Sequence, residues 1–162
     1  MLRKIRGKSK YMFLPIAASI AALDGTLMAF SSGTLIIATS TTAPSTIIGV
    51  IRHSIVSTDS NYAVAKTIEV EVPVENYVEW EMDYDHSNNL VAADIGLYCD
   101  ITTAAPTATD YTNTTNINRG GSTYDVVQVV GIKDPDTTTP TNFHKARVIL
   151  NTGVAGCGVI GA

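Results

Sequence analysis

The chain has 162 residues, of which 45% are hydrophobic and only 16% charged, and its formal net charge is −4. A chain of this length buries roughly 70% of its unfolded surface in one domain and needs no staple; the two cysteines, Cys99 and Cys157, suggest neither a disulfide framework nor a zinc site. Thr, Val, Ile and Tyr are frequent and suit a pleated surface, and no stretch longer than about twelve residues keeps a clean helical period. The expected class is therefore all-β, a small barrel or sandwich-like domain.

Charge is distributed unevenly. Arg3, Lys4, Arg6, Lys8 and Lys10 supply five of the eleven bases within the first ten residues, and residues 11–162 hold the other six against all fifteen acids, a net of −9. The expected organisation is a basic N-terminal arm at 1–10, a β domain at 11–150 and a glycine-rich C-terminal tail at 151–162. A basic arm can meet nucleic acid, an anionic membrane or an acidic protein surface. The expectation here is an acidic protein surface, on another protein or on a neighbouring copy, with neither nucleic acid nor membrane as partner. The bland alternative is a solvated tail.

The start also has the form of a signal peptide: MLRKIRGKSK is a charged n-region, YMFLPIAASIAAL a short apolar region, and the small residues near Ala22 allow cleavage. That apolar run is too short to span a bilayer. Pro15 interrupts it, and the preferred reading is a first strand at 12–17 with Pro15 at an edge position.

Next in chain order, Asp24-Gly25 reads as a turn. Residues 27–30 and 35–38 flank Ser31-Ser32-Gly33 as a hairpin. Residues 39–45 form a polar loop. Residues 47–55 are apolar with Gly49 inside, which predicts a bulge or a close backbone approach, and 58–61 is a turn. Cys99 lies in an apolar strand at 95–101 and reads as a small core residue; a Cys99–Cys157 bridge is the less favoured alternative. Residues 102–121, rich in Thr, Asn and Ala, read as a long surface excursion. Residues 124–132 predict a central strand, 134–141 a loop and 145–150 the last strand. Eight or nine short strands suit a barrel or sandwich.

The most informative stretch is TIEVEVPVENYVEWEMDYD, residues 67–85. Ile68, Val70 and Val72 alternate with Glu69 and Glu71; Val78, Trp80, Met82 and Tyr84 alternate with Glu79, Glu81, Asp83 and Asp85. Period two gives each strand one apolar and one polar face. Pro73 and Glu75-Asn76 interrupt the pattern as a hairpin connection would. The stretch carries seven carboxylates and no base. Like charges opposite one another on paired strands are destabilising, so the stripe calls for something cationic to meet it, against the alternative of a solvated face. The candidate partner-binding residues are therefore Arg3, Lys4, Arg6, Lys8 and Lys10 on the basic side and Glu69, Glu71, Glu79 and Glu81 on the acidic side. Carboxylates on alternate strand positions form a flat row rather than a cage for calcium. His53, His86 and His144 share no spacing, and no nucleophile elbow, zincin helix, P-loop or C-x-x-C motif is present. The expectation is a binding protein, not an enzyme, with no catalytic residue, cofactor or metal.

In order along the chain, FLPIAAS at 13–19, the Gly33-Thr34-Leu35 return with Ile37-Ala38-Thr39, IIGVIRHSI at 47–55, STDSNYA at 57–63, VEVPVENYVEW at 70–80, LVAADIG at 90–96, Asp100 and Asn118-Arg119-Gly120 together resemble the head decoration, or cement, proteins of tailed bacteriophages. The resemblance spans residues 13–132. It implies a small β-barrel-like domain on the outer capsid surface of a virion, a homotrimer that binds the major capsid protein and stabilises the shell. The basic arm, the Thr/Asn-rich loop and the glycine-rich tail fall outside that pattern. An exported bacterial surface or adhesion domain is the alternative expectation, and the mass of the mature chain separates the two.

Overall fold

The structure, a computed structural model, describes residues 2–75, 77–84, 90–102, 115–119, 124–133 and 144–151. It is all-β, with eleven strands among the described residues: β1 (Arg3–Arg6), β2 (Ser9–Ile16), β3 (Leu27–Ser31), β4 (Thr34–Ile37), β5 (Ile47–Ile51), β6 (Lys66–Pro73), β7 (Glu79–Tyr84), β8 (Tyr98–Thr102), β9 (Asn116–Asn118), β10 (Val127–Ile132) and β11 (His144–Leu150). Strands β2-β4-β3-β5-β6 close into a barrel, and β1-β7-β11-β10-β8-β9 form a second sheet. A parallel bridge between Tyr84 and Ile117 brings β9 back to β7, so this sheet also curls on itself.

The barrel follows from strict alternation. Leu14 and Ile16 of β2, Met28 of β3, Leu35 of β4, Ile51 of β5 and Ile68, Val70 and Val72 of β6 form one buried cluster. The β3–β4 hairpin turns on Ser32 and Gly33, both at positive φ (49° and 85°), as a two-residue hairpin loop demands. On β5, Ile48 is the extra residue where the pairing with β3 shifts register. A Cβ on Gly49 would lie 2.2 Å from the Glu71 carbonyl oxygen, so the close approach expected at this glycine is present.

The barrel wall serves two cores. Leu27 and Ala29 of β3 and Ile47 and Val50 of β5 are buried in a second cluster with Trp80, Met82 and Tyr84 of β7 and the inner faces of β8–β11. Strand β10 is central in its sheet, between β8 and β11, and its Val127 and Val129 are buried in that cluster, as is Cys99. Cys157, His86, the loop at 134–141 and nearly all of the tail lie outside the described residues, so the possible Cys99–Cys157 bridge does too.

Three expectations change. Strands β6 and β7 do not pair as a hairpin: β6 pairs with β2 and β5, and β7 with β1, β11 and β9. The residues between them carry the chain from the barrel to the second sheet instead of reversing it. Residues 3–10, expected as a basic arm, contain β1 and the start of β2. Strand β1 pairs with β7 and β2 with β6, so residues 3–16 run antiparallel to 66–81 as one interrupted ribbon that spans both sheets. At the interruption the Val74 N–H donates to the Lys8 carbonyl and the Lys8 N–H to Glu75 Oε1. Gly7 sits there at φ 97°, and a Cβ on it would lie 2.8 Å from Val78 Cα. Finally, the Thr/Asn-rich excursion contains β9, with Ile117 and Thr115 buried.

Candidate protein-binding site

The two faces of residues 67–85 separate as alternation requires: Ile68, Val70, Val72, Val78, Trp80, Met82 and Tyr84 are all buried. The acidic face is not solvated throughout, however, because Glu71, Glu79 and Glu81 are buried as well. Buried carboxylates need partners, and the partners come from the same chain.

Glu71, only 2% exposed, is the most enclosed. It accepts from Lys4 Nζ at 2.8 Å, from Arg52 Nη2 at 2.6 Å and Nε at 2.8 Å, and from the Ser9 hydroxyl. Burial alone would raise its pKa, but the hydrogen bonds from Lys4, Ser9 and Arg52, with the Arg52 charge, together hold the carboxyl below its usual range. Arg52 extends the contact: its guanidinium also reaches the Leu2 carbonyl and Asp24, each at 3.3 Å, and lies 5.6 Å from the centre of the Trp80 ring. Glu71, Lys4, Arg52 and Trp80 thus fasten the barrel, the N-terminal strand and the second sheet at one seam. The indole N–H of Trp80 is buried with no hydrogen-bond partner among the described residues, and the guanidinium over its ring gives a partial return for that cost.

On the outer face of the second sheet, the acids of β7 lie between basic strands. Arg3 and Arg147 both stand opposite Glu81, Arg6 stands opposite Glu79, and Lys145 opposite Asp83. Glu81 Oε1 accepts from Lys145 at 2.9 Å and Oε2 from Lys133 at 3.0 Å. The Lys145 hydrogen bond, helped by Lys133 and by both charges, outweighs desolvation and lowers the Glu81 pKa; the same bond raises that of Lys145. Glu79 pairs with Arg6 and, at 3.6 Å, with Arg147. Glu69 is half-buried and faces His53 at 3.5 Å.

Of the nine residues expected to meet a partner, Lys4, Arg6, Glu69, Glu71, Glu79 and Glu81 are therefore joined within the chain. The pairing has a physical cause: basic residues 3–10 and acidic residues 69–81 lie on strands that pair, so opposite charges close on one another. Arg3, Lys8 and Lys10 remain exposed, with no ion pair among the described residues. Sequence reasoning missed Arg52, Lys133, Lys145 and Arg147. The signal for two of them was present: Lys145 and Arg147 sit two apart in a strand, the same period as the acids of β7.

The segments behind the resemblance also meet. Arg119 Nε binds Asp94 Oδ2 at 2.8 Å, and the same oxygen accepts the Val91 N–H at 2.7 Å. Buried Asp100 stands opposite Asn118 and accepts the N–H groups of Tyr124 and Asp125 at 2.9 and 2.8 Å. These carboxylates pin local backbone. Around them Val91, Ile95, Leu97 and Tyr98 are exposed, four large apolar side chains within eight residues, and Tyr11 and Phe13 are exposed on the outer face of β2. Among the described residues no group of three or more His, Cys, Asp or Glu side chains is placed to hold a metal ion. No protein-family model matches the chain, and no curated protein or solved structure matches it.

Proposed function

We propose that this protein is a capsid accessory component, a decoration protein that binds the outer surface of an assembled phage shell and stabilises it. The observation that carries this reading is the ordered set of motifs between residues 13 and 120. Pieces far apart in sequence, LVAADIG, Asp100 and Asn118-Arg119, are neighbours in space through the Asp94–Arg119 pair and the β8–β9 ladder. The all-β fold agrees with what the resemblance implies. The four exposed apolar side chains at 91–98 add support, since apolar side chains clustered on a surface favour protein contacts.

In this reading the work is mechanical. A rigid domain that binds the assembled shell and not the free subunit shifts the equilibrium away from disassembly by mass action, and many weak copies on one particle sum to a large effect. The contact partners are the major capsid protein and further copies of this chain, as a trimer by the resemblance, with no enzymatic step or cofactor.

Particles with and without the protein test the reading under heat or osmotic shock. Those lacking it should release DNA at milder stress, and added protein should co-sediment with them and restore resistance. Equal survival, with no co-sedimentation, would overturn the proposal and favour the exported-surface alternative.

A further inference from the structure

A cleft of about 430 Å³ opens beside β1, lined by Arg3, Lys4, Ile5, Glu81, Lys133 and Arg147. Four of its six lining residues are cations and one is an acid. That acid is already engaged at both oxygens, by Lys145 and Lys133. Lys4 is turned to Glu71, and Arg147 reaches Glu79 only at 3.6 Å. Arg3 is exposed, and its side chain has no hydrogen-bonded or ion-paired partner among the described residues. Among the described residues the cleft therefore holds positive charge left without a full complement of carboxylates, in a protein whose net charge is −4.

We propose that this cleft is a recognition site for an acidic, extended peptide segment of a partner protein, whose carboxylates bind Arg3, Arg147 and Lys133. Three observations choose that occupant. Charge complementarity calls for an anion, and guanidinium groups favour carboxylates in a forked geometry. Arg3 and Arg147 stand in register on either side of Glu81, so the cations form a row across the sheet face that an extended chain can follow. Half-exposed Ile5 lies among the cations and offers an apolar contact between charges. A nucleic acid suits the site less, because a long polyanion would leave this small basic area and run onto an otherwise acidic surface. The inference goes beyond the capsid reading and does not depend on it, since any acidic peptide tests it.

The experiment is a fluorescence-anisotropy titration of the full chain with a labelled peptide that alternates Glu and Val. A Lys-Val peptide and an oligothymidylate of equal charge are the comparisons. The Glu-Val peptide should bind best and weaken as salt is added. Arg3→Ala should weaken it by about tenfold, the loss of one charge-assisted contact, while Lys10→Ala, outside the cleft, leaves it unchanged. Because the Arg3 side chain has no partner among the described residues, the Arg3→Ala variant should melt within error of the parent, and Lys133→Gln supplies a second variant if it does not. No binding of the Glu-Val peptide, equal binding of the Lys-Val peptide, tighter binding of the oligothymidylate, or undiminished binding by both variants would each overturn the proposal.

Discussion

Strands β6 and β7 carry the same alternation of acid and apolar residue, yet their carboxylates end in different surroundings. On β6, Glu71 is enclosed at the seam between barrel and second sheet, with an arginine, a lysine and a serine on it. On β7, Glu81 is held by two lysines at the rim of an open cleft, and those lysines keep 40% and 59% of their side-chain surface exposed. Period two decides which side chains share a face. It does not decide whether that face meets water. That depends on the strands laid alongside, which here come from residues 3–16 and 144–150.

The sharpest way to break the comparison is to remove what both regions lean on. Trp80 is fully buried on the inner face of β7, packed in the core that the barrel wall shares, with Arg52 of the seam over its ring. Trp80→Ala should cost about 3–5 kcal/mol, the usual range for a large buried aromatic, measured by urea denaturation with circular dichroism. A loss below about 1 kcal/mol would show that the two regions are held together elsewhere.

The next test separates the two acids. Glu71→Gln keeps the shape but strips the charge that neutralises Arg52 and Lys4, and it should cost about 3 kcal/mol, the lower end for breaking a buried pair. Glu81→Gln faces partly solvated lysines and should cost under about 1 kcal/mol. Equal losses would mean that enclosure at the seam adds nothing to the pairing.

Acid should distinguish them again. Both carboxyls titrate below their ordinary value of 4.5 in the folded protein. A depressed carboxyl contributes stability that is fully present above the unfolded value and is lost as pH falls through the folded one. Unfolding free energy should therefore decline below about pH 4.5, and Glu71→Gln should lose less on the same descent than the parent. A parent chain equally stable at about pH 3 and pH 6 would contradict the pairing described for both groups.

Much of this fold was legible in the sequence because it rests on local rules. The β3–β4 hairpin follows from Ser32-Gly33, the close approach at Gly49 from a glycine inside an apolar strand, and the inward set of β6 and β7 from period two. What was not legible is pairing between distant segments. Residues 70–80 look like a hairpin when only nearest neighbours are considered. Distant strands on either side, β2 and β5 on β6 and β1 and β11 on β7, hold them in two sheets, and the register of the ribbon at 3–16 against 66–81 is a contact across fifty or more residues of chain. The candidate site was half legible for the same reason. The opposite charges of residues 3–10 and 69–81 stood out, but that they neutralise each other within one molecule depends on the fold. Strand β9 stayed hidden in low-complexity sequence, where a single buried Ile117 between two asparagines carries little pattern.

The smallest expected effect concerns Arg6, beside the interruption of that ribbon. Arg6 pairs with Glu79, but 73% of its side chain is exposed, and Arg147 stands on the other side of the same carboxylate. An exposed arm of an ion pair gains little over water, and here a second cation remains when it is removed. Arg6→Ala should therefore cost less than about 1 kcal/mol, and the difference from the parent should shrink further at high salt as screening replaces the lost charge. Lys4→Ala, two residues earlier and turned onto buried Glu71, should cost more than Arg6→Ala at every salt concentration. If the two variants lose the same stability and respond alike to salt, the ribbon acts as a diffuse band of positive charge, and the seam at Glu71 has no special standing within it.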